Sequence, residues 1–191
     1  MLIIDGKKLG ISIILLGLML IMFGISAQIS GGLRYVALIQ NDMTSLKTYY
    51  AIDNKLSYKM PSDWKNETEK FEVGEILYHS NFYSKDGKIS GSVEVFGNTQ
   101  DMDGFVKRNK EIFEKNNILK NYNIKKVKIN NKEAYFITYE LKNKDDINHK
   151  CTEYYIRYND GFIRDSFFVI DSNFKENMPT IFRAIVETFK Y

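Results

Sequence analysis

The chain has 191 residues and a net charge of +3, from 27 lysine and arginine against 24 aspartate and glutamate side chains. This length predicts one domain with an appendage. A single cysteine, Cys151, excludes an internal disulfide, and two histidines with that cysteine are too few for a structural zinc site of four such ligands.

The first predicted element is a membrane-spanning helix over residues 9–29. These 21 residues carry no charge and are mostly Leu, Ile, Met and Gly, and an α-helix needs about 20 such residues to cross the hydrocarbon core. Residues 1–8 would form a short tail and residues 30–48 a juxtamembrane linker. A cleaved signal peptide is the alternative, but its apolar core usually has about 7–15 residues, and the contexts Gly24/Ser26 and Ile25/Ala27 match a cleavage site weakly.

The charges that flank this span predict its orientation. Lys7 and Lys8 precede it, and only Arg34 and then Lys47 follow. Because positively charged flanks stay in the cytoplasm, we expect a single-pass protein of the cell membrane with a cytoplasmic N-terminus. The domain of residues 49–191 would then lie outside the cytoplasm, which disfavours nucleic acid as a partner.

Four glycines recur every seven residues in and beside the predicted span. At 3.6 residues per turn they form one slowly drifting stripe, and small residues let two membrane helices approach closely. The stripe predicts helix packing and an oligomer formed through the anchor; the alternative is that glycine is simply common in such helices. The glycines are Gly10, Gly17, Gly24 and Gly31.

Strand and turn signals begin after the linker. Residues 49–61 hold two short extended runs around the turn-prone pair Asp53–Asn54. Residues 65–74 are polar and are predicted to form a loop. Residues 75–97 predict a β-hairpin with its turn at Asp86–Gly87.

A helix is predicted over residues 101–117. Asp101 or Asp103 can accept hydrogen bonds from the free N–H groups of its first turn. Apolar residues at spacings of three and four predict its buried face. They are Met102, Phe105, Val106, Ile112 and Phe113.

Two hairpins and a second helix complete the chain. Asn130–Asn131 is predicted to join strands over residues 123–130 and 132–141, and Asn159–Asp160–Gly161 to join strands over residues 151–158 and 162–170. The final helix, residues 177–190, would have Asn177 as its cap and Pro179 in its first turn. Since hairpins dominate, we expect a mainly antiparallel sheet with helices packed on its faces.

Five segments along residues 49–190 share the order and short patterns of a known family. They are LSYKMPSDW, SNFYSKDGKISGSVEV, INNKEAYFITYEL, EYYIRYNDGFIRDSFF and FRAIVETFK. Together they resemble the PsbP-like group of the Mog1/PsbP superfamily. The resemblance implies an α+β fold, an α/β/α sandwich with a central, mainly antiparallel sheet. It also implies a non-enzymatic role, since its members bind, dock on or stabilise other assemblies; the membrane anchor departs from the photosynthetic members, so photosystem binding is not carried over.

Candidate catalytic and metal residues are few. His149 and Cys151 could share a strand face, which a hydrolase with a cysteine nucleophile would need, but a small buried cysteine beside a loop histidine is the simpler interpretation. Asp101 and Asp103 fall at ligand positions of a calcium loop, whereas Lys110 stands where the bidentate glutamate belongs. We therefore expect no enzyme activity, no cofactor and no metal.

The most informative charge feature is a basic region between residues 107 and 132. It holds nine basic and two acidic residues, a net charge of +7. Such a region predicts contact with anionic lipid, cell-envelope polymer or an acidic protein; the alternative is the solvated face of a lysine-rich protein. The basic residues are Lys107, Arg108, Lys110, Lys115, Lys120, Lys125, Lys126, Lys128 and Lys132.

The sequence thus predicts a membrane-anchored, extracytoplasmic domain that docks on a protein complex or an envelope component. The alternative is a carrier that holds a small molecule or lipid in a cleft between sheet and helices. A carrier would contain an apolar pocket, whereas a docking domain would present a charged or apolar surface.

Overall fold

The computed structural model describes residues 45–69, 75–97, 101–115, 119–142 and 146–191. The chain divides into two units, Met1–Asp42 and Met43–Tyr191, and the described residues belong to the second. The predicted span 9–29 and the four glycines in and beside it lie outside the described residues. Neither helix within the described ranges has the length and apolar character that a membrane crossing requires.

The first hairpin forms a small sheet of its own. Strands β1 (Leu46–Ala51) and β2 (Leu56–Pro61) pair antiparallel, and β1 begins inside the predicted linker. The turn between them holds Asp53 and Asn54 at φ of 52° and 65°. Asn and Asp tolerate this left-handed conformation best, so the predicted turn is confirmed.

The main sheet has seven strands, and every neighbouring pair is antiparallel. Its strands are β3 (Lys65–Glu69), β4 (Ile76–Tyr83), β5 (Ile89–Phe96), β6 (Leu119–Ile129), β7 (Lys132–Lys142), β8 (Asn148–Tyr158) and β9 (Gly161–Ile170). Their spatial order is β3-β4-β5-β9-β8-β7-β6. The last hairpin therefore inserts β9 between β5 and β8, and the expectation of an α+β domain with an antiparallel sheet is confirmed.

One strand lies where the sequence predicts a loop. Residues 65–69 form β3, which pairs with β4 from Lys65 opposite Tyr83 to Glu69 opposite His79. The prediction is wrong because β3 is an edge strand whose residues are mostly exposed. Such a strand lacks the alternation of apolar and polar residues that marks a half-buried strand.

Helix α1 (Met102–Lys115) begins as predicted. The carboxylate of Asp101 accepts hydrogen bonds from the backbone N–H groups of Asp103 and Gly104, at 3.2 and 3.0 Å. Met102 and Val106 are buried on the predicted face. Ile112, in contrast, is 55% exposed, so its assignment to that face is wrong.

Helix α2 (Met178–Val186) follows a short 3₁₀ turn over Asp171–Asn173. Its buried face includes Ile181 and Ile185. The cap prediction is wrong: Asn177 stands at the N-cap in a helical conformation, φ −83° and ψ −11°, and its side chain makes no capping hydrogen bond.

The two helices pack on opposite faces of the main sheet. Phe105 of α1 contacts Phe162 with ring centroids 5.0 Å apart, and Phe182 of α2 stacks on Phe167 at 4.2 Å. Phe162 and Phe167 are five residues apart in β9, and successive residues of a strand alternate between faces. The sheet therefore has an α1 face, which carries Phe162, and an α2 face, which carries Phe167.

Candidate functional site

A groove runs between α1 and the edge strand β6. It consists of two adjoining cavities of about 360 and 220 Å³ that share Asp103 and Tyr135 in their walls. We call it the α1–β6 groove and define it by the residues that line either cavity. They are Met102, Asp103, Val106, Lys107, Lys110, Tyr122, Ile124, Lys126, Val127, Lys128, Glu133, Ala134 and Tyr135.

The sheet register places two lysines of β6 in the groove. Lys126 lies opposite Tyr135, and Lys128 opposite Glu133. Because strand residues two apart share a face, Ile124 joins these lysines on the α1 face. The Nζ atom of Lys126 lies 5.6 Å from the centroid of the Tyr135 ring, a cation–π distance that holds the ammonium group near the groove.

The helix contributes two more lysines to the opposite wall. Lys107 and Lys110 are three residues apart and so lie on one side of α1. The Nζ atom of Lys110 lies 5.3 Å from the Tyr122 ring centroid and 3.4 Å from Glu114. Lys110 therefore reaches across from α1 to β6.

The electrostatics of the groove favour a partly apolar, anionic ligand. Four lysines outnumber the two acidic residues of its walls, Asp103 and Glu133. Burial, with the nearby carboxylates of Glu153 and Glu114, raises the pKa of Tyr122 to about 12, so this hydroxyl adds no negative charge at neutral pH. Ile124 is 41% exposed and leaves an aliphatic surface beside the lysines.

The other five residues of the basic region lie outside the groove walls. Arg108 and Lys115 are on the exposed surface of α1. Lys120 and Lys125 project from the α2 face of β6, opposite Glu140 and Phe136; Lys132 opens β7. The structure thus brings together four of the nine basic residues and separates the rest.

A second cluster of charges lies deeper on the α1 face, at the centre of the sheet. The guanidinium of Arg164 donates to Glu94 Oε2 at 3.1 Å through Nη1 and to Glu153 Oε1 through Nη2. The hydroxyls of Tyr139 and Tyr155 donate to the Glu153 carboxylate at 2.9 and 2.8 Å. We call these five residues the Arg164 cluster.

The Arg164 cluster is held by fixed charges. Burial opposes the charge of Arg164, but Glu153, Tyr155 and Glu94 together outweigh it and hold the pKa of the guanidinium well above its ordinary value. Burial, and then Glu153, raises the pKa of both tyrosine hydroxyls. Each oxygen of the Glu153 carboxylate accepts at least one hydrogen bond from within the Arg164 cluster. This arrangement is typical of a structural ion pair rather than of a free acid or base.

Sequence reasoning missed this cluster because its members come from four strands. Glu94, Glu153 and Arg164 meet only when β9 lies between β5 and β8. One signal was present: Glu153 and Arg164 each interrupt an apolar strand pattern, in CTEYYIRY and FIRDSFF. A charge inside such a pattern indicates a buried, paired group.

The structure gives no support to a nucleophilic Cys151. The sulfur lies 3.9 Å from the carbonyl oxygen of His149, and the His149 ring Nδ1 is 3.2 Å from the carbonyl of Ile147. Burial, and then the charge of Glu153, raises the pKa of the thiol, which disfavours the thiolate that a nucleophile requires. Among the described residues, no three His, Cys, Asp or Glu side chains are grouped to hold a metal ion.

One buried acid lies on the α2 face. Asp165 is fully buried between Val93 and Tyr154 of the neighbouring strands. Neither carboxyl oxygen has a hydrogen-bond partner among the described residues, and burial raises the pKa of this carboxyl well above its ordinary value. Burial therefore favours the neutral form of this acid, and its position inside the apolar strand pattern FIRDSFF is the same sequence signal that marks Arg164.

The elements and their order define the class of the domain as PsbP-like by fold. No family model and no curated protein matches the sequence. Among solved structures, the chain is similar to the solution structure of cyanobacterial PsbP (CyanoP) from Synechocystis sp. PCC 6803, with 12% identity and a TM-score of 0.53 over 76% of this chain and 92% of that one.

A second similar structure comes from Bacteroides thetaiotaomicron VPI-5482, with 17% identity and a TM-score of 0.50. The match covers 75% of this chain and 47% of that one, so it spans about half of the larger protein. At such identities the likeness shows the fold alone. The predicted PsbP-like fold is confirmed.

The carrier hypothesis predicts an apolar pocket, and the α1–β6 groove is apolar only in part. The larger of its two cavities, about 360 Å³, is lined by Asp103, Lys126, Lys128 and Glu133 among others. On the α2 face, Phe167 and Phe182 are in direct ring contact. The carrier function therefore stays a prediction. Among the sites in the described residues, the α1–β6 groove is the stronger candidate for binding a partner.

Proposed function

We propose that this protein is a membrane-anchored, extracytoplasmic, non-enzymatic domain that docks on an anionic partner through the α1–β6 groove. The observation that carries the proposal is the convergence of Lys107, Lys110, Lys126 and Lys128 on one groove. The partner would be a protein complex or a component of the cell envelope.

The physical basis is attraction followed by contact. Lysines along the walls of a groove raise the local concentration of an anionic partner and speed its association, more so at low salt. The exposed Ile124 and the rings of Tyr122 and Tyr135 then supply apolar contact. Association through such a groove requires no reacting group.

The predicted anchor supports the proposal by its effect on concentration. A domain attached through residues 9–29 would search a surface rather than a volume, which raises the effective concentration of a partner at the same membrane. The α/β/α sandwich implied by the family resemblance is consistent with one helix on each face of the sheet.

Binding to a simple polyanion tests the docking proposal. The probe is fluorescein-labelled decaglutamate, titrated with the purified full chain in detergent and followed by anisotropy at low and high salt. We expect Lys126→Glu/Lys128→Glu to weaken binding at least tenfold. The matched control, Lys55→Glu/Lys85→Glu, reverses two exposed charges elsewhere and should stay within twofold of the parent; equal effects of the two variants would exclude the groove.

Protease shaving of intact cells tests the location. If the domain lies outside, peptides from residues 107–132 should disappear while residues 9–29 remain in the membrane. Protection of those peptides would contradict the proposed orientation. A mature chain that begins near Ala27 or Gln28 would instead identify the first segment as a cleaved signal.

A further inference from the structure

The geometry of β6 points to a particular occupant of the α1–β6 groove. We propose that it is an extended, acidic segment of a protein partner, which pairs as an additional strand along the outer edge of β6. This inference rests on the proposed docking function and adds the chemistry and the conformation of the partner.

The outer edge of β6 is available for pairing. In the described part of the chain β6 is the last strand of the seven-stranded sheet, with β7 on one side and no strand on the other. Its pairing with β7 is regular from Asn123 to Ile129 and irregular between Lys120 and Asn123, where Asn121 has a φ of 53°. The regular stretch gives seven residues, or about 23 Å at 3.3 Å per residue, to an added strand.

The side chains of β6 specify the composition of the added strand. Ile124, Lys126 and Lys128 project on the α1 face beside the groove. Side chains directly opposite in paired strands lie about 4.5–5.5 Å apart. A partner strand with acidic residues at alternate positions would place them against the two lysines, and the methylene groups of the acidic side chain opposite Ile124 would cover it.

Lysines on an edge strand also exclude the wrong partners. Like charges directly opposite are destabilising, so two copies of β6 do not pair readily, and natural proteins use edge lysines for this purpose. The same lysines favour an acidic strand. The charge pattern therefore both blocks self-association and selects the partner.

A flat anionic membrane or a phosphate polymer fits the groove less well. A phosphate polymer has neither backbone amides for the free edge of β6 nor an apolar group for Ile124. A polypeptide segment supplies amides, carboxylates and apolar side chains together.

The test uses a nine-residue peptide of alternating glutamate and valine, labelled with fluorescein, and the purified full chain in detergent. Two further versions are N-methylated at every valine or at every glutamate. Since alternate N–H groups of a strand point to the same edge, strand pairing predicts that one methylated version binds at least tenfold more weakly and the other binds like the parent. Exchange of backbone amides with deuterium should slow in residues 123–129 and not in residues 46–61.

The outcomes separate this inference from the docking proposal. If all three peptides bind equally and binding depends on Lys126 and Lys128, strand pairing is overturned and docking stands. If the chain binds phosphatidylglycerol vesicles or polyphosphate more tightly than it binds the peptides, and this binding depends on Lys126 and Lys128, the inference of an acidic protein segment is also overturned. If neither the peptides nor decaglutamate bind through these lysines, both proposals fail.

Discussion

Replacing Asp165 by asparagine should remove a pH-dependent loss of stability. In the folded domain burial raises the pKa of this carboxyl well above its ordinary value, whereas in the unfolded chain the pKa is about 3.9. The unfolded chain therefore releases a proton that the folded domain keeps. Stability is fully present below the unfolded pKa and falls as pH rises from there toward the folded pKa.

The expected magnitude follows from one proton. Each pH unit between the two pKa values removes about 1.4 kcal/mol from the free energy of unfolding. Above the unfolded pKa the parent should therefore lose stability relative to Asp165→Asn at up to this rate, until the pH reaches the raised pKa of the folded carboxyl. The prediction concerns the slope of the unfolding free energy against pH and not its absolute value. The buried amide of the Asp165→Asn variant would lower its stability by the same amount at every pH.

Trp64 provides the assay. It is the single tryptophan of the chain, is buried, and stacks on Phe82 with ring centroids 5.5 Å apart, so its fluorescence should report unfolding in urea. The control is Asp63→Asn, which removes an exposed carboxyl and should run parallel to the parent. Parallel curves for the parent and Asp165→Asn between pH 4.5 and 6.5 would refute the assignment of a neutral, buried acid.

Two further substitutions and one labelling experiment test the core and the charge cluster. Arg164→Met should destabilise the domain by about 3 kcal/mol, because Glu153, only 3% exposed at its side chain, loses its cationic partner; a loss below about 1 kcal/mol in urea unfolding would contradict the buried ion pair. Gly91→Ala should prevent stable folding, since an added Cβ meets the backbone and an aromatic ring of neighbouring strands. The control Gly87→Ala has open space but a φ of 69°, and its free energy of unfolding should fall by about 1 kcal/mol. A melting temperature of Gly91→Ala equal to or above that of Gly87→Ala would contradict this prediction. Cys151 should not react with iodoacetamide in the folded chain at pH 8, because its buried thiol has a raised pKa, and fast labelling without urea would show that the site is open.

Local chemistry allowed the sequence to predict the hairpins. Asn130 and Asn131 have φ values of 49° and 64°, and Asn159 has 48°, the conformation that asparagine tolerates and a tight turn requires. These signals act within a few residues, so one sequence is sufficient to find them. The order of strands is different, because the pairing of β9 with β5 joins residues that are far apart in the chain and has no local signal.

The sequence predicts which basic residues belong to the candidate region, but it does not predict which of them share a surface. Counting charges over residues 107–132 identified the nine basic residues, but the count could not distinguish Lys126 from Lys125. The register does so: Lys126 lies opposite Tyr135 on the α1 face, and Lys125 lies opposite Phe136 on the other. Two facts decide which lysines line the groove: the alternation of side chains along β6 and the position of α1. Only the alternation can be obtained from the sequence.

Each wall of the groove is supported from behind, so the proposed docking would need little rearrangement of the domain. The β6 wall is fixed by its hydrogen-bonded pairing with β7. The α1 wall is held by Phe105, whose ring lies 4.8 Å from Phe96, and by Phe113, whose ring lies 5.8 Å from Tyr139 of the Arg164 cluster. Because both walls are already ordered, a partner must order only its own segment, and the cost of binding falls mainly on that segment. Loosening α1 by Phe113→Ala should therefore weaken binding of the acidic peptide while the four groove lysines remain unchanged.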